Sequence, residues 1–172
     1  IGRIKTGNFD DDLKDIASCD WVIEAVVERL DIKQLVFEKV ELFRKPGTLI
    51  STNTSGIPIH HLVDGRSEDF RKHFCGTHFF NPPRYLRLLE IIPGPETNQE
   101  VIDFHLHYGE LHLGKTTVLC KDTPGFIANR IGIYWMYIAA SKAFAHGLGV
   151  EETDAIIGRP MVVAYKTSFV TY

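Results

Sequence analysis

The residues predict a doubly wound α/β fold, a mostly parallel sheet covered by helices, followed by the start of an all-α domain. Two observations predict it. Up to about residue 121, short apolar runs bounded by charge or turn residues alternate with segments of helical period, and strands separated by helices pair in parallel through right-handed crossovers. Beyond Asp122 the short runs stop and long helical segments take over. The expected boundary therefore falls at 121 or 122, with residues 1–121 in the sheet domain and 122–172 in the helical one.

Taken in order, "DDLKDIAS" reads as a short polar helix or turn, and "WVIEAVV" as a buried strand, β-branched and bounded by charge. Ile32, Leu35, Val36, Lys39, Val40 and Phe43 keep the i, i+3, i+4, i+7 pattern of an amphipathic helix, with only Lys39 polar, until "KPG" ends it. "TLIS" is the next strand, "TNTSG" a loop, "IPIHHLV" a short helix, and "HFCGTHFF" and "LRLLEII" two further strands. In "PGPETNQE", Thr97 and Glu100 have capping-box spacing for a helix running to about Leu113. "KTTVLC" is the last strand. A helix from about Pro124 to His146, stopped by Gly147, precedes a final helix "VEETDAII".

Composition removes several function classes. Nineteen basic against 22 acidic side chains give a formal charge of -3, so there is no cationic footprint for nucleic-acid phosphates. Cys19, Cys75 and Cys120 are odd in number and lack a Cys-x-x-Cys pair, which fits reduced thiols and gives no support to zinc. The opening "IGRIKTGNFDDDLKD" has no apolar core of signal-peptide length, and the chain is read as cytoplasmic. The longest apolar stretch, "GFIANRIGIYWMYIAA", is interrupted by Asn129 and Arg130 and falls short of the roughly 20 residues of a membrane span. It reads as a buried helix.

Three places could carry chemistry. Proton removal from a hydroxyl near neutral pH suits a histidine, and a carboxylate on its far ring nitrogen fixes the tautomer and raises its basicity. His78 in "GTHFFNPP" and Glu90 in "LRLLEIIPG" form such a pair if their strands are neighbours, since alternation puts His78 with Phe80, and Leu88 with Glu90 and Ile92. Spacing alone favours the other reading, a half-buried structural histidine and a strand-end charge. "STNTSG" follows the strand "TLI", where ligands bind in open parallel sheets; it offers Asn53 and Ser55, and also reads as an ordinary turn. In "KDTPGFIANR", Asp122 or Thr123 could cap the helix starting near Pro124, leaving Asn129 on an apolar segment as either a site or a core amide. His105 and His112 are seven apart and could share a helix face, for which solvent is the better reading.

"STNTSG", "GTHFFNPP", "LLEII" and "KDTPGFIANR", in this order and at these separations, resemble the L-3-hydroxyacyl-CoA dehydrogenase family of fatty-acid β-oxidation, over about residues 10–158. The resemblance implies a Rossmann-like NAD-binding domain, with residues 1–121 its C-terminal portion and 122–172 the beginning of a helical dimerisation and substrate domain. It implies that His78 is the catalytic base, that Glu90 orients it, and that Ser55 and Asn129 contact the substrate oxygen or the nicotinamide end. From "EAVVERLDIK" it assigns Ala25, Glu28 and Lys33 to the NAD side, with Ser55 and Asn81 beside them. It further implies an acyl-CoA substrate, and a homodimer or a place in a larger multifunctional chain.

The sequence departs from the family at both ends. No G-x-G-x-x-G turn with its acidic residue about 20 positions on is present for the pyrophosphate and ribose. The expectation is a chain beginning partway through the cofactor domain, whose last dozen residues follow the family poorly. Two other readings stay open: a dehydrogenase-derived binding or assembly module without redox activity, and a related β-hydroxy-acid dehydrogenase acting on another substrate.

Overall fold

Five strands lie side by side in their order along the chain: β1 (Trp21–Glu24), β2 (Leu49–Thr52), β3 (Phe74–Phe79), β4 (Leu88–Pro93) and β5 (Thr116–Leu119). The structure, a computed structural model, describes residues 2–158. The reading of residues 159–172 as poorly matched to the family lies outside the described residues.

Three of the four strand pairings are parallel, and each is spanned by helix. α1 (Leu30–Phe43) links β1 to β2, the short α2 (Ile59–Leu62) and α3 (Glu68–Lys72) link β2 to β3, and α4 (Gln99–Leu111) links β4 to β5. β3 and β4 are antiparallel. The segment between them, residues 80–87 with Pro82 and Pro83, contains no helix, so the chain turns back instead of crossing over. β4 therefore starts at the rim where β1, β2 and β3 end, which brings loops 25–29, 53–58 and 80–87 to one edge of the sheet.

The core lies under α1, α2 and α3. Phe37, Phe70 and Phe74 are fully buried with ring centroids 5.0 to 5.7 Å apart, and Ile50, Ile59, Leu62 and Ile92 close around them. Phe37 meets the other two rings edge-to-face and Phe70 stacks on Phe74, and aromatic pairs of either kind add about 0.5–1.5 kcal/mol beyond area burial. α4 covers the other part of the sheet, where Trp21 meets Phe104, His105 and Tyr108 edge-on.

The buried face of α1 is not the one its apolar periodicity predicts. Lys33, Phe37 and Val40 are buried, while Leu35 and Phe43 are exposed. Lys33 occupies a core position because its ammonium meets the buried Glu24 carboxylate there, which rotates the helix. Nor does Thr97 cap α4: Asn98 is the N-cap residue, and Thr97 Oγ1 donates to Phe74 O (2.6 Å) and accepts from Gly94 N–H (2.8 Å). The hydroxyl ties the end of β4 to the start of β3.

The chain divides into two compact units, Ile1–Phe126 and Ile127–Tyr172. Within the second, α5 (Ala128–Ala145) and α6 (Val150–Ile157) are joined by a turn with Gly147 at φ 68°. α5 begins at Ala128, not near Pro124, because Thr123 to Phe126 form a turn in which Phe126 has φ 48°. The expectation of a buried helix does not hold within the described residues, since Ala143 alone among α5 side chains is buried and Ile131, Tyr134 and Tyr137 are exposed. Among the described residues no helix is long and apolar enough to cross a membrane.

Candidate active site

His78 and Glu90 stand directly opposite each other in the β3–β4 register, and His78 Nδ1 lies 2.7 Å from Glu90 Oε2. Both are buried, at 4% and 1% exposure. The carboxylate accepts the Nδ1–H, which leaves the lone pair on Nε2 and makes that atom the proton acceptor of the pair. Two aromatic rings wall the imidazole: Phe80 at 4.4 Å between centroids and Phe126 at 5.6 Å. Phe126 is itself buried despite its left-handed backbone, a conformation that costs a non-glycine residue of order 1–3 kcal/mol and persists where packing dictates it.

The loop after β2 is built by two acids of the β1 region. Glu24, at the end of β1, is buried and accepts from Val26 N–H (2.5 Å) and Thr52 Oγ1 (2.6 Å). Its two oxygens lie 2.9 and 3.0 Å from Lys33 Nζ, whose side chain is 1% exposed. Glu28 then reaches across to the next loop, where its Oε1 accepts from Thr54 Oγ1 (2.6 Å), Ser55 N–H (2.8 Å) and Gly56 N–H (3.2 Å). Partial burial pushes the Glu28 carboxyl up, but the Thr54 hydroxyl, the Ser55 amide and the Lys33 ammonium outweigh it and hold the group below its ordinary 4.5.

The residues proposed from the sequence are thus placed as follows. His78 and Glu90 meet. Ser55 is exposed at the same sheet edge, as are Ala25 and Asn81. Glu28 is half-exposed and Lys33 is enclosed. Asn129 is in the first turn of α5, half-buried, in the second unit. Asn53, which the sequence offered as a ligand group, instead accepts from Phe79 N–H through Oδ1 (2.8 Å) and straps β2 to the end of β3. Asp122 caps no helix after it; its carboxylate accepts from Ile59 N–H (2.6 Å) and His60 N–H (3.0 Å) and faces His60 Nδ1 (2.6 Å).

His105 is buried rather than solvated. Its Nδ1 is bonded to Val101 O (2.7 Å), Cys75 Sγ lies 3.6 Å away, and burial pushes its pKa down. Among the described residues no His, Cys, Asp or Glu group could hold a metal ion. Sequence reasoning missed Glu24 and Phe126, and placed Phe80 beside His78 without giving it a role. Glu24 carries the signal that singled out Glu90, a lone carboxylate in an apolar strand, whereas Phe126 depends on a turn that no periodicity marks.

The donor set at the rim fits part of a dinucleotide. Exposed Ala25, Ser55 and Asn81 offer backbone, hydroxyl and amide groups of the kind that hold a neutral nicotinamide and its ribose. The Glu24–Lys33–Glu28 cluster has one cation against two carboxylates, so it is no phosphate site.

Residues 2–123 match the family described as "3-hydroxyacyl-CoA dehydrogenase, NAD binding domain". The chain is 47% identical over 168 residues to a Bacillus subtilis protein named probable 3-hydroxyacyl-CoA dehydrogenase, covering 95% of this chain and 21% of that protein. It is 46% identical over 168 residues to a Deinococcus radiodurans protein of the same name, covering 98% of this chain and 49% of that one. The chain thus spans about half the length of one relative and about a fifth of the other. Among solved structures, 3-hydroxybutyryl-CoA dehydrogenase from Escherichia coli superposes with a TM-score of 0.72 at 34% identity, over 80% of this chain and 28% of that one. The Rossmann-like sheet, the paired His78 and Glu90 at its rim and this match over most of the chain lead to one conclusion: the chain belongs to the family of NAD-binding domains of 3-hydroxyacyl-CoA dehydrogenases.

Proposed function

We propose that the protein carrying this chain oxidises the 3-hydroxyl of an L-3-hydroxyacyl-CoA to the 3-ketone with NAD+. The observation that carries this reading is the buried His78–Glu90 pair, held at the ligand-facing rim by direct strand register. His78 Nε2 takes the hydroxyl proton, and Glu90 stabilises the imidazolium that forms, as a buried acid does for a catalytic histidine. Phe80 and Phe126 exclude water from the ring, which strengthens that charge pairing. Ser55 holds the substrate oxygen while it becomes a carbonyl. NAD+, when bound, accepts the hydride from C3; Ala25, Ser55 and Asn81 hold its nicotinamide end. For Asn129 the same role as Ser55 rests on the resemblance alone.

The domain beginning at about residue 122 is proposed to serve substrate binding and dimerisation, and the chain to act within a longer protein, in keeping with its partial coverage of the relatives. The test is NADH formation, followed by absorbance, when the full-length protein is given a 3-hydroxyacyl-CoA and NAD+. Absence of NADH from a folded, NAD-binding protein over a range of acyl lengths would remove the reading.

A further inference from the structure

α2 cannot cap itself. Pro58 stands at its N-cap position and offers no side-chain acceptor, so the first amides of the helix take a partner from elsewhere. Asp122 supplies it from 63 and 62 positions away: Oδ1 accepts from Ile59 N–H (2.6 Å), and Oδ2 accepts from His60 N–H (3.0 Å) and faces His60 Nδ1 (2.6 Å). The Asp122 side chain is 15% exposed, and bonds to a charged acceptor are roughly twice as strong as neutral ones. One carboxylate thus fastens the chain beyond β5 to the start of α2.

What Asp122 holds is the turn that carries Phe126. Just before it, Cys120 N–H donates to Ile91 O (2.8 Å) on β4; just after it, Thr123 N–H donates to Lys121 O (2.8 Å) and Phe126 N–H to Thr123 O (2.9 Å). Gly125 (φ 75°) and Phe126 (φ 48°) are then both left-handed, a conformation that a phenylalanine keeps only where its surroundings over-determine it. At one end those surroundings are the core, since Phe126 is 1% exposed and belongs to the buried cluster with Ile59 and Ile92. At the other end they are Asp122. The Phe126 ring stands 5.6 Å from the His78 imidazole, so its placement decides how far water is kept from that imidazole. All of these residues lie in the first compact unit.

We propose that Asp122 is a positioning residue for His78: it pins the turn of residues 122–126 to the start of α2 and so holds the Phe126 ring against the imidazole. The inference rests on the proposed function only in giving His78 a part in the reaction. It predicts that Asp122 acts on turnover through Phe126 and by no separate route.

The full-length protein is tested as Asp122→Ala, Asp122→Asn, Phe126→Leu and the double variant Asp122→Ala with Phe126→Leu. Amide hydrogen exchange is read at Ile59 and His60, NMR reads the carbon-bound ring protons of His78, and kinetics give kcat and KM. Asp122→Ala is expected to lower protection of both amides about tenfold and kcat about tenfold, more than it changes KM. It should also move the His78 ring signals in the direction that Phe126→Leu moves them, because both lose the ring current of Phe126. Asp122→Asn keeps one acceptor oxygen and is expected to do less of each; it also serves if Asp122→Ala does not fold. The double variant is expected to lose no more kcat than the larger single loss, as it must when one residue acts through the other. Unchanged protection at Ile59 and His60 in Asp122→Ala overturns the inference. Unmoved His78 signals with those amides open would make Asp122 a helix cap alone and overturn it too, as would losses of kcat that multiply in the double variant. Failure of the unmutated protein to oxidise 3-hydroxyacyl-CoA would count against the proposed function and leave the His78 ring signals to decide this inference.

Discussion

His78 and Glu90 are cross-strand partners on the same antiparallel ladder, and the 2.7 Å contact between Nδ1 and Oε2 follows from that register. A pair set by backbone hydrogen bonds does not depend on loop closure for its alignment. The imidazole is therefore oriented before substrate arrives, which is the condition for a general base to act without reorganisation. Removing either partner should change chemistry far more than folding or cofactor binding.

His78→Gln in the full-length protein should lower kcat by about 10²–10⁴, the usual worth of a general base, with NADH Kd little changed. Steady-state kinetics beside calorimetry check it. A variant with near-normal kcat would show that another group removes the proton. Glu90→Gln should lose activity in the same direction, since an amide can hold the wrong ring tautomer.

Lys33→Met should destabilise by about 3–5 kcal/mol, because it strands the buried Glu24 carboxylate. Adding Glu24→Gln should recover part of the loss. Urea unfolding of both variants reads the coupling; simple additivity would mean that the two charges do not depend on each other.

Gly109→Ala sets two effects against each other. Helix propensity favours alanine by about 1 kcal/mol. A Cβ there would stand 2.5 Å from Thr117 Cγ2 and 3.1 Å from Leu89 Cδ2, where α4 lies flat on the sheet. Overpacking of this kind costs about 1–3 kcal/mol, so the variant should have a lower urea midpoint. A higher midpoint would refute the close approach.

Burial pushes the Cys75 thiol well above its ordinary 9.0, and the side chain has no exposed surface. Iodoacetamide at pH 8 should leave Cys75 unmodified in the native protein and alkylate it in urea, as read by peptide mass spectrometry. Rapid labelling of the native state would contradict the packing of β3 against α4.

The contacts of Glu28 with Thr54, Ser55 and Gly56 should weaken in acid. Its carboxyl is held below 4.5 in the folded protein, so its contribution is present in full above that value and is lost as pH falls through the lower folded one. Protection factors at Ser55 and Gly56 should be level from pH 7 to 5 and drop below about 4.5. A decline centred near neutrality would point to a different titrating group.

Residue order alone determined the alternation of strands and helices, because apolar period is a local property of the chain, and its short motifs carried the resemblance that pointed to the family and singled out His78 and Glu90. It also placed Ser55 after a strand end, where α/β sheets bind ligands. It could not determine that Lys33 faces inward, that Asn53 and Thr97 are straps, that α5 starts at Ala128, or that His105 is buried. The placement of Lys33, Asn53, Thr97 and His105 depends on partners on other elements: Glu24 for Lys33, Phe79 for Asn53, Phe74 for Thr97, Trp21 and Cys75 for His105. The start of α5 depends on the strained turn at Phe126, which no periodicity marks. Whether a polar side chain is a ligand group or a structural strut is decided by what desolvates and bonds it, and only the assembled sheet and helices supply that.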